Sequence, residues 1–127
     1  MSRLKRVLLV DDNFEMNALL RDFLVRDGYQ VHCTFSASGA LAWIESRNDH
    51  DRPHIVLSDV LLGSSTGVDL SKALSLGWPG LPVILFSVCD AREEALASGA
   101  VKFINAPFQL SRLSEVIAEQ LGALLVE

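Results

Sequence analysis

Polar side chains that can hold a cation and a phosphoryl group follow three apolar runs of the sequence. Asp11 and Asp12 follow the first run, Asp59 the second and Ser87 the third. Three carboxylates within a few ångströms repel one another, and a divalent cation among them relieves that repulsion. All-oxygen ligands suit Mg²⁺, which keeps several waters and accepts a phosphoryl oxygen. A carboxylate beside such a cation, with a hydroxyl opposite, is equipped to accept a phosphoryl group.

Those residues meet only if the three runs are parallel neighbours in one sheet. Strand-like runs alternate with helical segments, and the predicted strands are residues 7–10, 30–35, 55–57, 82–86 and 102–105. This alternation predicts an α/β fold, a doubly wound five-stranded parallel (βα)5 sheet of flavodoxin-like strand order 2-1-3-4-5. In that order strands one, three and four are adjacent, and the ligand crevice lies outside their carboxyl ends.

The predicted helices follow from apolar spacing and from capping residues. The first ends at Gly28 and carries one apolar stripe at helical spacing, made of Met16, Leu19, Leu20, Phe23 and Leu24. Ser38 is predicted to cap the second helix. The remaining helices are predicted at residues 68–76, 90–98 and 110–125, with residues 60–66 as a loop.

Length, charge and composition limit the class of protein. The 127 residues are expected to form a single domain, residues 1–127. Eleven Lys and Arg against 16 Asp and Glu give a net charge of −5, which argues against binding nucleic acid or an anionic membrane. No apolar run approaches the roughly 20 residues that span a bilayer, and residues 1–6 do not begin a signal peptide. We therefore expect a cytoplasmic protein in which Cys33 and Cys89 are buried free thiols.

Other interpretations of single residues stay open at this point. Asp12 with Glu15 three residues on can form a helix capping box, and one aspartate can serve both roles. Residues 63–67 match the G-x-S-x-G pattern of a hydrolase nucleophile. In that fold a histidine follows the serine, whereas all three histidines here precede Ser65, so the pattern indicates a flexible loop.

Four segments together resemble the response-regulator receiver domains of two-component signalling. They are residues 7–13, residues 55–59, residues 83–87 and the stretch from Gly99 to Phe108. The resemblance covers nearly the whole chain, and the order and spacing of the segments are specific. It implies that Asp59 is the phosphoacceptor, which takes a phosphoryl group from a sensor histidine kinase or a phosphotransfer protein.

The resemblance also implies a metal site. Asp12 and Asp59, with the main-chain carbonyl of Leu61, would bind Mg²⁺, and Asp11 would contribute through a water molecule. The chain would then be a phosphoprotein of a phosphorelay and not an enzyme, with slow self-dephosphorylation at most.

Two further residues are implied to carry the signal. Ser87 would bond the phosphoryl oxygen and draw its loop inward, and Phe103 would rotate and report the change. The readout would be the face made by helix 4, strand 5 and helix 5. A downstream protein, or an output domain outside this chain, would recognise that face.

The sequence departs from the pattern of these domains at several positions. The family places a lysine immediately before the proline of its last strand–helix loop, and this chain has Ala106 there. Lys102 lies at the opposite end of the predicted strand, and Arg92 is a conceivable replacement cation. Val88 is larger than the residue usual after the hydroxyl position, which should narrow access to the site.

These departures keep a second interpretation open. The chain can be a pseudo-receiver, an interaction module that recognises its partner without phosphorylation. An aspartyl-phosphate phosphatase is disfavoured, because it would need a second acid two residues after its nucleophile, and Leu61 occupies that position after Asp59. The apolar end of the last helix, residues 121–127, has three interpretations: it packs on the sheet, forms a homodimer face or begins a linker to an output domain.

Overall fold

Five parallel strands form the central sheet. The structure is a computed structural model that describes residues 4–125, with side chains described as far as Gly122. We number the strands β1 to β5 along the chain: Arg6–Val10, Gln30–Thr34, Ile55–Asp59, Val83–Ser87 and Lys102–Asn105. They lie in the order β2-β1-β3-β4-β5, which confirms the predicted doubly wound topology.

Helices connect the strands and cover both faces of the sheet. Helices α1 to α5 are Phe14–Arg26, Ala37–Glu45, Gly67–Gly77, Arg92–Ala97 and Leu110–Leu125. Within residues 4–125 no helix is both long and apolar enough to cross a membrane. The segment predicted as a loop after β3 is instead a small hairpin, in which Leu61–Leu62 pairs with Ser65–Thr66. Its turn uses the positive φ of Gly63, +73°.

The core lies on both faces of the sheet, as the continuous apolar strands predict. On one face Leu8 and Val10 pack with side chains from α2 and α3, such as Ile44 and Leu74. On the other face Val7, Leu9 and their neighbours pack against α1 and α5. Because β1 and β3 are buried on both sides, the main chain at their ends is held in place from both faces.

Helix α1 is rotated relative to the predicted stripe. Leu20 and Leu24 are buried and Phe23 is partly buried, whereas Met16 and Leu19 are 41% and 52% exposed. The stripe is therefore narrower than the sequence suggests, and its two outer members lie on the surface.

A buried asparagine takes the place that the apolar stripe leaves open. Asn17 is 2% exposed, and its amide Nδ2 donates to the main-chain carbonyls of Asp11 and Thr34, both at 3.0 Å. The carbonyl of Thr34 also accepts from the N–H of Asp11 at 3.2 Å, so the amide of Asn17 adds a second bond there and supplies a donor to the carbonyl of Asp11. Asn17 therefore ties α1 to the edge of the sheet where the acidic residues lie.

The predicted cap of α2 is wrong by two residues, and the alternative in which Asp12 caps α1 is not what the structure has. Asn13, and not Asp12, caps α1, because its side chain accepts from the N–H of Met16. Ser36, and not Ser38, caps α2 through a bond from the N–H of Gly39. Asp12 therefore does not cap α1, and the carboxylate of Asp12 is available for another role.

The prediction of buried free cysteines is confirmed only in part, and the predictions on the chain ends fall mostly outside the described residues. Both cysteines are free, but Cys33 is only partly buried and Cys89 is exposed, because it lies in the loop beyond β4. At the end of α5, Leu121 is buried against the sheet. The side chains of residues 123–127 and the placement of residues 1–3 lie outside the described part, so the predictions on those ends remain predictions.

Gly67→Ala should destabilise the fold and displace the site. A Cβ on Gly67 would collide with the main-chain carbonyl of Asp59, at the point where α3 begins. Overpacking of this kind costs about 1–3 kcal/mol of unfolding free energy. Urea denaturation measures it, with Gly77→Ala as the control. Gly77 lies in the same helix with open space around it, so its replacement should be neutral or stabilising by up to about 1 kcal/mol. Equal effects of the two substitutions would contradict this account.

Candidate functional site

The register of three strands brings their carboxyl ends together. Val10 lies beside Ser58 in the β1–β3 pair, and Asp59 lies beside Phe86 in the β3–β4 pair. Asp11 continues β1 and Ser87 ends β4, so the polar residues after these strands share one edge. The adjacency on which the predicted site depends is therefore present.

A cavity of about 160 Å³ opens at this edge. Its lining consists of Asp11, Asn13, Met16, Asp59, Leu61, Phe86, Ser87, Val88, Ala106 and Phe108. Of the predicted site residues, the lining includes Asp11, Asp59, Leu61 and Ser87 but not Asp12. The cavity thus brings together two acids, one hydroxyl and a largely apolar wall.

Asp11 is the most deeply buried acid of the site, at 1% exposure. Its Oδ1 accepts from the N–H of Asn13 at 3.0 Å, whereas its Oδ2 is buried with no hydrogen-bond partner. Burial raises the pKa of Asp11 to about 6, and the charges of Asp59 and Asp12 add to the rise while the bond from Asn13 opposes it. An unpaired buried carboxylate oxygen is costly, which makes this atom the strongest sign of an absent ligand.

Asp59 lies half-buried at the end of β3. Its Oδ1 accepts from the N–H of Leu61 at 2.9 Å. Burial raises the pKa of Asp59 and the charge of Asp12 raises it further, whereas bonds from the main-chain N–H groups of Leu61 and Val60 lower it. One oxygen of Asp59 is therefore oriented by the hairpin, and the side chain faces the cavity.

Asp12 lies beside the cavity, next to the hairpin. Its Oδ2 would be 3.5 Å from a Cβ placed on Gly63, so the turn of the hairpin lies directly against the carboxylate. Its charge acts on the pKa of both Asp11 and Asp59. The three acids are thus close enough to interact, although Asp12 is exposed to solvent.

The oxygen atoms of this edge suit a hard divalent cation. Among residues 4–125 no three acidic, histidine or cysteine side chains form a ready set of metal ligands. A cation here would therefore complete its shell with main-chain oxygens and water, as Mg²⁺ commonly does. The unpaired Oδ2 of Asp11, with the carboxylates of Asp12 and Asp59 near it, fits that requirement.

Ser87 links the cavity to the segment after β5. The side chain is buried, and its Oγ accepts from the N–H of Cys89 at 3.2 Å. Its main-chain carbonyl accepts twice, from the N–H of Ala106 at 2.7 Å and from Nδ2 of Asn105 at 2.9 Å. Movement of Ser87 would therefore be transmitted directly to the β5–α5 connection.

Phe103 and the nearby cations line a second groove, which shares Phe108 with the acidic cavity. Phe103 is 4% exposed, and the guanidinium carbon of Arg92 lies 5.4 Å from the centre of its ring. Arg92, Lys102 and Arg112 line a groove of about 460 Å³ between α4, β5 and α5. Arg92 lines this groove and not the acidic cavity, so its contacts do not support a role as replacement cation. Lys102 begins β5, at the far end from the cavity, as expected.

Three residues that line the cavity are not among the site residues predicted from the sequence: Asn13, Met16 and Phe108. Asn13 holds the carboxylate of Asp11, and Met16 and Phe108 form part of the wall. Phe108 packs edge-to-face on Phe86 with ring centres 5.7 Å apart. The aromatic residue after Pro107 was the available hint, because it follows the loop that closes the cavity.

Comparison with known proteins decides the family. The sequence profile described as the response regulator receiver domain matches residues 7–118. The chain belongs to the response regulator receiver domain family. This confirms the resemblance drawn from the four sequence segments.

Relatives of the receiver domain include both stand-alone and multidomain proteins. It is 32% identical to the chemotaxis protein CheY of Thermotoga maritima, over 89% of this chain and 94% of that protein. It is also 32% identical to the nitrogen assimilation regulatory protein NtrX of Azorhizobium caulinodans, over 93% of this chain. The chain spans only 26% of that NtrX.

Solved structures of receiver domains have the same fold. A receiver domain protein from Methanospirillum hungatei superposes with a TM-score of 0.86 at 28% identity, covering 94% of this chain and 95% of that one. The receiver domain of NtrX from Brucella abortus gives a TM-score of 0.82 at 30% identity, covering 91% and 98%.

Asp11→Asn should stabilise the metal-free protein above pH 6. The folded wild type keeps a proton on Asp11 between pH 3.8 and about 6 that the unfolded chain has released. Wild-type stability therefore falls as the pH rises through that window, and the neutral asparagine avoids the loss. Urea denaturation in EDTA at pH 7.5 should show a gain of about 1–3 kcal/mol.

That gain should shrink towards zero near pH 4, where Asp11 of the wild type is already neutral in the folded state. Asp51→Asn is the control, because it removes one negative charge from an exposed position. A gain that is the same at both pH values, or the same in the control, would show that burial of Asp11 is not the cause.

Proposed function

We propose that this receiver domain accepts a phosphoryl group on Asp59 from the phosphohistidine of a sensor kinase or phosphotransfer protein. The observation that carries the proposal is the cavity in which Asp59 lies beside the buried, unpaired oxygen of Asp11. Asp11, Asp12 and Asp59, with the carbonyl of Leu61, are the residues that would hold Mg²⁺. The ion would neutralise part of the charge on the phosphoryl oxygens.

The side chains have distinct roles in the transfer. The hairpin N–H of Leu61 holds Oδ1 of Asp59, which leaves Oδ2 to attack phosphorus. A P–O bond forms as the P–N bond to the donor imidazole breaks, and the imidazole leaves with the bonding electrons. The hydroxyl of Ser87, which lines the same cavity, donates to an oxygen of the transferred group.

The signal then leaves through the main chain. When Ser87 closes on the phosphoryl group, the two hydrogen bonds to its carbonyl pull the segment of Asn105 and Ala106. That segment continues into the face of α4, β5 and α5, where Phe103 lies under Arg92. A downstream protein, or an output domain outside this chain, reads the change there.

Acetyl phosphate with Mg²⁺ should add one phosphoryl group to the protein. Intact mass spectrometry measures the adduct, which should be absent in Asp59→Asn and in EDTA. Asp51→Asn is the matched control, since it removes an exposed acid that does not line the cavity and should label normally. A folded wild type that takes no label from acetyl phosphate or from a cognate kinase would favour the pseudo-receiver interpretation instead.

Ala106→Lys should strengthen binding of a phosphoryl group. Ala106 lines the cavity, and an ammonium group placed there can bond the phosphoryl oxygens, a contact worth about 1.5–3 kcal/mol. Beryllofluoride mimics the phosphoryl group on an aspartate, so its dissociation constant should fall by about tenfold or more. NMR shifts of the amides of Asn13 and Leu61, which bond the two acids, report the binding.

Ala106→Met is the control for that substitution. It fills similar space with an uncharged side chain, so it should not improve binding of beryllofluoride. If methionine works as well as lysine, charge is not what the cavity lacks. Fluorescence is a poor reporter, because Tyr29, Trp43 and Trp78 line other cavities.

A further inference from the structure

We propose that the cavity beside Asp59 binds a second cation, a primary ammonium group supplied from outside this chain, at the wall formed by Ala106 and Val88. The inference rests on the proposed function and adds a ligand to the same site. It is argued from the charge of the cavity, the space at this wall and the groups that line it.

The cavity holds acids and no cation of its own. Its ten lining residues include Asp11 and Asp59 and no lysine, arginine or histidine. Arg92 and Lys102 line the neighbouring groove between α4 and α5, and Lys102 begins β5 at the end far from the cavity. The carboxylate oxygen of Asp11 that has no partner is evidence of the same imbalance.

One divalent ion does not neutralise the negative charge of this edge after a phosphoryl group has been transferred to Asp59. Three carboxylates and one divalent ion leave one negative charge. Phosphorylation of Asp59 removes its own charge and adds a group that carries about two. The edge then holds two uncompensated negative charges in a partly buried site, where opposite charge is worth more than in bulk water. The phosphorylated state is the one that needs the second cation.

The wall at Ala106 has room for that cation. The methyl side chain of Ala106 leaves its part of the cavity open, and the bond from its N–H to Ser87 fixes the main chain there. An ammonium entering here would share the cavity with Asp59 and the hydroxyl of Ser87.

The chemistry of the wall selects an ammonium over a second metal ion. Val88, Phe108 and Ala106 offer apolar side chains, so few oxygens are available to replace the hydration shell of a metal. A compact ammonium needs only three acceptors.

The mouth of the cavity indicates where the ammonium comes from. Met16, Leu61 and Val88 line the cavity and are 41%, 48% and 69% exposed. Exposed apolar side chains around an acidic cavity suit a protein surface that carries a lysine in its centre. A free amine offers the same ammonium without the apolar contact, and the two sources differ in the concentration that they require.

The experiment uses methylammonium as the probe and beryllofluoride affinity as the readout, in the wild-type protein with Mg²⁺. At saturation, methylammonium chloride should lower the dissociation constant of beryllofluoride by about tenfold. Sodium and tetramethylammonium chlorides at equal ionic strength are controls, since neither offers an N–H donor. Ala106→Lys, which supplies the ammonium itself, and Ala106→Met, which fills the space, should both be insensitive to methylammonium.

Each outcome has a defined meaning. If methylammonium reaches half of its effect on beryllofluoride affinity below about 1 mM, the result supports a free amine as the ligand. If it needs tens of millimolar, the result supports a lysine that a docked partner presents at high effective concentration. If methylammonium does not change the dissociation constant of beryllofluoride, the proposal of a second cation is wrong, and the proposed function is unaffected.

A direct titration separates the two proposals when beryllofluoride fails to bind. If neither the wild type nor Ala106→Lys binds it, the proposed function fails. Methylammonium added to the Mg²⁺-free protein should then still shift the amide resonances of Ala106 and Val88. Unchanged resonances, or shifts matched by tetramethylammonium, would overturn the ammonium site as well.

Discussion

The shared carboxyl edge of β1, β3 and β4 is the constraint on which the site depends. Parallel pairing sets Val10 beside Ser58 and Asp59 beside Phe86, so three chain segments leave the sheet at one place. Packing alone gives no reason to put acids there, because burial of the Asp11 carboxylate costs free energy. The edge is electrostatically unbalanced as it is built, and binding of cations is the direct way to balance it.

Apolar patterning was sufficient to predict the sheet and the edge at which the site lies. Buried parallel strands have continuous apolar runs, and the residue after each run must lie at the carboxyl end. The details that the sequence did not reveal depend on hydrogen bonds between side chains and the main chain. Asn13 rather than Asp12 accepts from the first turn of α1. Asn17 rather than Met16 faces the sheet, because its amide donates to two main-chain carbonyls. The spacing of apolar residues in the sequence does not reveal such hydrogen bonds.

The lining of the acidic cavity and the lining of the α4–β5–α5 groove differ in charge. The acids of the cavity have no basic side chain among its lining residues, whereas Arg92, Lys102 and Arg112 line the groove of α4, β5 and α5. Ala106 lines the cavity, where a basic side chain would have added positive charge. On the proposed function, groups from outside the chain would complete the acidic edge.

The carbonyl of Ser87 accepts hydrogen bonds from both the backbone of Ala106 and the side chain of Asn105. A mechanical link made largely of peptide groups does not depend on which side chain occupies position 106. A substitution at position 106 can therefore change how strongly the domain responds to its input, while the hydrogen bonds that connect the cavity to the β5–α5 segment stay the same.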